Sequence, residues 1–320
     1  MIKVVVTGAS GFIGNALCNF LVLKGFEVIA VTRKKQSQLL SSKAITYIEC
    51  DYKIINPFKG LGKIDAIIHL AGIAHSRTTK KNLDDMREIN YKSTIKLAQK
   101  AVESNVDRFI FLSSIGVNGA YTKGNDVFTE VSHASPHNFY TKSKYDAELK
   151  LSQISSNTDM DFVVIRSPMV YGHNAPGSFR LISSLVKRSW PIPFSNIKNQ
   201  RSFVALDNLI DFITLCSDVK KSYNAANQIF LISDNEDVST QEFVRKLANA
   251  YKVKLFMFPF PVIVLRFIAK IFGKSDYATS LFSNLCVDSS KARRRLGWMP
   301  VTTMDEQMLK IAQLDMQKNK

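Results

Sequence analysis

Short apolar runs alternate with longer stretches in which apolar residues recur every three or four positions, and the alternation holds to about residue 165. Residues 2–6, Ile-Lys-Val-Val-Val, form the β-branched run expected of a buried parallel strand. Residues 16–23 follow at helical spacing, with Leu17, Phe20 and Leu21 on one face. Further strands are predicted over 27–31 and 109–112, and a helix over 136–152. Such alternation predicts an α/β fold with a doubly wound parallel sheet. Later elements are interspersed. Residues 177–188, 238–251 and 261–272 read as helices of a smaller lobe, whereas 207–216 and 228–232 read as returning to the sheet. The expected organisation is one domain over 1–170 that also receives segments near 203–232, and a lobe built mainly from 171–320. A chain of 320 residues is long enough to bury a core for both.

The first strand runs into Thr7-Gly8-Ala9-Ser10-Gly11-Phe12-Ile13-Gly14. Glycines let the backbone turn tightly and approach a pyrophosphate, which then rests on amides at the start of the following helix. The spacing is GxxGxxG. Lying between a strand and a helix, it points to a Rossmann-type dinucleotide site. The second strand ends at Thr32-Arg33-Lys34-Lys35. NAD-binding folds commonly place an acid there, about 20 residues on, to hold the ribose 2′-hydroxyl. Here Thr32 stands in that place and Arg33 can grip a 2′-phosphate, so NADP(H) is the expected cofactor and NAD the alternative.

Tyr140 and Lys144 lie one helical turn apart in the predicted helix 136–152. A phenol with a pKa near ~10 is a poor acid-base group at neutral pH. A nearby ammonium, together with a cationic nicotinamide, is expected to lower it. Ser114, after the strand 109–112, can hydrogen-bond the same substrate oxygen. A YxxxK pair alone is common in helices; combined with the glycine loop and a strand-end serine it predicts hydride exchange at a carbon bearing oxygen.

With these residues in place, the chain resembles an extended short-chain dehydrogenase/reductase of the nucleotide-sugar epimerase and reductase branch, almost from end to end. Residues 7–14 match its TGxxGxxG, and Asp51 matches an acid near the adenine, with Tyr52 beside it. His69-Leu70-Ala71-Gly72 matches the loop beside the cofactor, and Asn90 an asparagine of the helix under the active site. The SSxxVYG-like run 113–119 assigns the catalytic hydroxyl to Ser114, with Ile115 toward substrate. Tyr140 and Lys144 match YxxxK. Residues 166–172, Arg-Ser-Pro-Met-Val-Tyr-Gly, resemble the segment leading from cofactor to substrate, which implicates Ser167, Pro168 and Val170. Residues 201–208 resemble R-x-F-V-H-V-x-D, whose arginine, here Arg201, meets the nucleotide diphosphate. The run from Asp288 to Trp298 matches the closing D-x-S-K-A-x-x-x-L-G-W.

The departures matter too. Asn118 replaces a tyrosine and Ala205 a histidine, and no second diphosphate arginine precedes Asp288, Lys274 being the nearest cation. The combination most resembles a subgroup making nucleotide-activated N-acetyl-6-deoxyhexosamines for bacterial surface polysaccharides. The resemblance implies NADPH-dependent reduction of a UDP-linked 4-keto sugar. The alternative is an NAD-dependent 4-epimerase that oxidises C4 and returns the hydride. A non-catalytic dinucleotide sensor is the third reading, and both Tyr140 and Lys144 speak against it. A homodimer through helices near Asn90 and Tyr140 is implied as well.

Net charge is +16, spread along the chain rather than gathered in one run. Ligands carrying phosphate, or an anionic membrane, suit that charge. Without a nucleic-acid module or a basic-aromatic pattern, nucleic acid is not an expected partner, RNA binding being the residual alternative. Cys18, Cys50, Cys216 and Cys286 lack CxxC pairing and read as buried thiols. The five histidines show no metal-ligand spacing, so no metal is expected; His75 and His173 border the presumed cleft. Residues 256–272 are the most hydrophobic stretch, too short and too interrupted for the about 20 apolar residues of a membrane span. They read as a buried helix of the substrate lobe. The alternative is a weak in-plane membrane contact through 261–272, with Arg266 and Lys270 on one face. The first strand begins at once, with no signal peptide before it, so a cytoplasmic enzyme is the expectation.

Overall fold

The computed structural model describes residues 1–32, 44–50, 56–73 and 80–318. Arg33, Asp51, Tyr52 and His75 lie outside the described residues. In chain order, Lys3–Thr7 (β1), Phe12–Leu23 (α1), Glu27–Thr32 (β2), Ile45–Glu49 (β3) and Ala66–His69 (β4) open the fold. Lys80–Arg87 (α2) continues through a π-helical turn, Glu88–Lys92, into Ser93–Glu103 (α3). Arg108–Ser114 (β5), Phe139–Ser155 (α4) and Asp161–Ser167 (β6) follow. Then come Met169–Tyr171 (β7), Ser178–Lys187 (α5), Phe203–Ala205 (β8), Leu206–Ser217 (α6) and Gln228–Leu231 (β9). Thr240–Tyr251 (α7), Val262–Ile271 (α8), Ser275–Phe282 (α9), Ser290–Leu296 (α10) and Met304–Lys318 (α11) complete it.

Among the described residues seven strands form one sheet in the order β3-β2-β1-β4-β5-β6-β9, parallel throughout. Val4, Val5 and Val6 of β1 and Ile67 and Ile68 of β4 are fully buried, because helices cover both faces. One layer packs α1 and α6 through Leu17, Leu21, Leu209, Phe212 and Ile213. The opposite layer packs α3 and α4 through Leu97, Ala98, Ala147 and Leu151. This is the doubly wound α/β fold the pattern predicts. Strand order reverses between β1 and β4, so the loops leaving these strands part there, at the position where such sheets bind ligands.

The lobe has its own core of Phe179, Phe203, Phe243, Leu247, Met304 and Met308. It is tied to the sheet by Asn208, which is fully buried and uses all its hydrogen-bonding capacity. Its Oδ1 accepts from the Val301 and Thr302 amides at 2.8 and 2.9 Å, and its Nδ2 donates to the Thr302 carbonyl at 2.9 Å and to Asp234 Oδ1 at 2.7 Å. Tyr171 Oη donates to Asp234 Oδ2 at 2.7 Å, joining β7 to the same carboxylate.

Two expectations need correction. The first helix starts at Phe12 rather than at residue 16, because Gly14 sits inside its first turn rather than before it. The apolar stretch 261–272 does form a helix, α8, but no residue of it is buried. Only Val262, Leu265 and Ala269 are partly covered, and the rest of the helix faces outward.

Candidate functional site

The glycine loop is built by contacts that leave no room for side chains. Gly8 takes a positive φ of 72°, and a Cβ there would lie 2.7 Å from the Ala71 backbone nitrogen and 2.9 Å from the Leu70 carbonyl carbon. Loops 8–11 and 70–72 therefore meet backbone to backbone. A Cβ on Gly14 would come within 2.2 Å of the Gly8 carbonyl oxygen, so α1 can start this close to β1 only with glycine. No side chain caps α1 and no acid stands in its first turn. Its N-terminal amides and dipole thus face the loop without a competing carboxylate, which suits a pyrophosphate. Ser10 and Gly11 are exposed on this loop, and Phe12 and Ile13 are half-buried behind it.

Behind the loop runs a buried chain of polar groups. Thr94 Oγ1 donates to the Asn90 carbonyl at 2.9 Å and so accepts from His69 Nε2 at 2.8 Å. That leaves His69 Nδ1 to accept from Thr7 Oγ1 at 2.6 Å. The proton assignment follows from these partners. Burial, with the Lys144 charge nearby, pulls the imidazole down to about 3, so His69 is neutral. It joins β1, β4 and α3 rather than doing acid-base work.

Asn90 sits in the π-helical turn, fully buried. Its Oδ1 accepts from the Ile73 amide at 2.8 Å, while Nδ2 donates to the Ile73 carbonyl at 3.0 Å and to Ser143 Oγ at 3.2 Å. Ser143 Oγ donates in turn to the Tyr140 carbonyl at 2.7 Å. The loop after β4 and the first turn of α4 are thereby held against one asparagine. Asn138 caps α4 in a reciprocal pair with Thr141, which is why the helix begins at Phe139 and not at residue 136.

Tyr140 and Lys144 are one turn apart on α4, as their spacing predicts. Lys144 is buried; its Nζ donates to the Leu112 carbonyl at 2.9 Å and lies 4.4 Å from the Phe111 ring centre. Burial brings its pKa down to about 8, against the upward pull of Glu148. A Cβ on Gly72 would lie 3.3 Å from this ammonium, so the loop after β4 passes directly over it. Burial pushes the Tyr140 phenol up to about 12, although the residue as a whole keeps some exposed surface. The Lys144 ammonium is turned toward the Leu112 carbonyl, and burial sets the direction of the Tyr140 shift. Ser114 ends β5 beside Ser167 of β6, and its Oγ accepts from the Gly116 amide at 3.2 Å. Ile115 follows in a buried 3-10 turn. Thr32, at the end of β2, is nearly buried and its carbonyl accepts from the Cys50 amide at 2.9 Å.

A profile of the "NAD dependent epimerase/dehydratase family" matches residues 4–229. The "UDP-glucose 4-epimerase" of Vibrio cholerae is 37% identical over 325 residues, covering 99% of this chain and 96% of that protein. The chain belongs to the NAD dependent epimerase/dehydratase family. The "dTDP-4-dehydro-6-deoxyglucose reductase" of Escherichia coli is 22% identical over 318 residues, covering 95% of this chain and 94% of its own length. The fold is shared with the UDP-glucuronic acid 4-epimerase of Bacillus cereus, solved in complex with NAD, at a TM-score of 0.79, 19% identity and full coverage of both chains. The expected class, an extended dehydrogenase/reductase or epimerase enzyme, is borne out.

Within this epimerase/dehydratase scaffold, four residues that sequence reasoning did not combine form a buried cluster behind Ser114. Arg166 Nη2 donates to Glu148 Oε2 at 2.5 Å, and its Nε lies 3.2 Å from both carboxylate oxygens. Ser113 Oγ donates to Glu148 Oε1 at 2.5 Å, and Arg166 Nη1 to Asn118 Oδ1 at 3.0 Å. Asn118, a departure from the family pattern, thus supplies an acceptor that satisfies the buried guanidinium. The i+4 step from Lys144 to Glu148 was the one sequence signal available.

Toward the lobe, Pro168 is buried between β6 and β7, and Val170 pairs with Val204 of β8. Arg201 is buried, with Nη1 donating to the Ser283 carbonyl at 2.7 Å and Nε left without a partner. Burial pulls its pKa down to about 10, so it remains charged at neutral pH. Arg266 Nη2 donates to Ser283 Oγ at 2.9 Å, so a second arginine converges on the residue that Arg201 contacts. Lys274 instead stands exposed before α9. All four cysteines are buried, and none is in a disulfide. Among the described residues no group of three or more His, Cys, Asp or Glu is placed to hold a metal ion.

Proposed function

We propose that this protein is a nucleotide-sugar 4-epimerase acting on a UDP-linked hexose or N-acetylhexosamine with a dinucleotide it retains. The reading rests chiefly on the nearly full-length likeness to the Vibrio cholerae epimerase. The glycine loop, the helix start without a capping side chain, and Gly72 over Lys144 fit a nicotinamide dinucleotide. Bound there, it supplies a hydride acceptor and donor for C4 of the sugar.

Tyr140 takes the proton from O4 as the hydride leaves C4, and returns it to O4 after the hydride comes back on the other face. Ser114 hydrogen-bonds the same oxygen and steadies its developing charge. Lys144 holds the ribose and, once drawn from the Leu112 carbonyl, favours the phenolate of Tyr140. Arg201 anchors the diphosphate while the sugar turns over. Gly8, Ser10, Gly11, Phe12, Ile13, Gly14, Leu70, Ala71, Gly72, Asn90, Ser167 and Val170 line the cofactor side in this reading. Pro168 and Ile115 lie toward the sugar.

A second reading, NADPH-dependent reduction of a nucleotide-linked 4-keto-6-deoxy sugar, is favoured by Thr32, which stands where an NAD-binding acid is usual. Desalted protein decides between them. The epimerase reading expects bound NAD and interconversion of UDP-GlcNAc with UDP-GalNAc, or of UDP-glucose with UDP-galactose, without added cofactor. Empty protein that consumes NADPH stoichiometrically with a 4-keto sugar, and interconverts neither pair, moves the assignment to the reductase.

A further inference from the structure

Helix α8 presents an apolar face that no element among the described residues covers. Its inner side carries the half-buried Val262, Leu265 and Ala269, with Val262 packed against the lobe core. Its outer side carries Ile263 at 78% exposure, Phe267 at 63% and Ile271 at 65%, followed by Phe272 at 71%. A soluble monomer seldom leaves so many large apolar side chains together in water. At 3.6 residues per turn, Ile263, Phe267 and Ile271 form one stripe. Arg266 and Lys270 lie along one border of it, and Lys274 stands just past the helix end.

The charge around this face selects its partner. Between Tyr251 and Ser275 the chain carries Lys252, Lys254, Arg266, Lys270 and Lys274, all exposed, and no acid. A second copy docking face to face would set these cations against their own equivalents. An anionic lipid surface meets the apolar stripe and the cations together.

We propose that α8 lies in the plane of an anionic membrane surface, with Ile263, Phe267, Ile271 and Phe272 among the acyl chains and Lys270 and Lys274 at the headgroups. No helix among the described residues is long and apolar enough to cross a membrane, so this contact is peripheral. The hairpin of α8 and α9 is tied to the lobe through Asn199, whose Nδ2 donates to the Leu281 and Ser283 carbonyls at 3.1 and 3.0 Å. Seating α8 therefore holds the substrate lobe, rather than the sheet, at the lipid.

Co-sedimentation of the full chain with phosphatidylcholine vesicles, with and without phosphatidylglycerol, tests this. The protein is expected to pellet with the acidic vesicles, to bind neutral ones at least about tenfold more weakly, and to be released as salt rises. Phe267→Ser with Ile271→Ser is expected to abolish pelleting, and Lys270→Glu with Lys274→Glu to weaken it roughly thirtyfold or more. These positions are exposed, so circular dichroism should show unchanged melting. If the serine pair alone melts early, the glutamate pair decides. Failure to pellet with acidic vesicles, or pelleting that the deciding pair leaves intact, overturns the proposal. So does light scattering in which the substitutions turn a lipid-independent dimer into a monomer, which would assign the face to a second copy.

Discussion

Arg166 of β6 and Glu148 of α4 form an ion pair buried on both sides, with Nη2 2.5 Å from Oε2. The pair bolts the helix carrying Tyr140 and Lys144 to the strand that leads toward the lobe. Removing one member leaves the other charged and unpaired in a dry site, which typically costs about 3–5 kcal/mol. Glu148→Gln is expected to lower stability by an amount near that range in urea titration, and Glu148→Gln with Arg166→Met to recover part of it. Equal losses in the single and double variants would show that the two residues act separately.

Lys144 sets a pH dependence. With its pKa brought down to about 8, the ammonium prevails below that pH and is lost as pH rises through it. Affinity for a dinucleotide, measured by calorimetry, should fall with a single inflection near pH 8 and lose that inflection in Lys144→Met. Glu148 pulls the Lys144 pKa upward, so Glu148→Gln should move the inflection to lower pH. An inflection that stays put in both variants would assign it to another group.

Tyr140→Phe removes the proposed proton carrier without changing the ring. Turnover on the substrate identified above should fall by about two orders of magnitude or more, the scale of a general acid, while dinucleotide affinity changes little. Near-normal turnover would mean that another group moves the proton.

Gly14→Ala would press a methyl group into the Gly8 carbonyl, and backbone cannot swing aside as a side chain can. A loss of roughly 1–3 kcal/mol is expected, together with weakened dinucleotide binding. Gly60→Ala, at a positive-φ glycine with open space around it, should leave dinucleotide affinity unchanged. Equal binding losses in both would remove the special role given to the first helical turn.

Arg201→Ala should weaken UDP as a competitive inhibitor by roughly 2 kcal/mol and leave dinucleotide affinity in place. Parallel weakening of both ligands would make Arg201 a support of the lobe, through Ser283, rather than a diphosphate contact.

Much of the sheet was legible because strands covered on both faces must be apolar, and β1, β2 and β5 are written as such runs. The glycine loop and the Tyr140–Lys144 step were legible for a related reason: each is local, and spacing alone sets its geometry. Contacts between distant segments were not. Nothing in Glu-Ile-Asn-Tyr-Lys marks 88–92 as a π-helical turn, and Arg166 reads as an ordinary strand residue until Glu148 lies beside it. The direction of the Lys144 ammonium was not legible either, because closeness on a helix does not say where a side chain points. Exposure of α8 was illegible for the same physical reason: apolar composition demands a cover but does not name it.

The Asn208 contacts bear on the order in which the protein can be completed during synthesis. The groups that satisfy its amide, at Val301 and Thr302, leave the ribosome almost a hundred residues later. Until then the junction of sheet and lobe holds a buried amide lacking most of its partners. A nascent chain can assemble β1 to β6 early, yet the lobe closes onto them only after residues 301 and 302 have emerged.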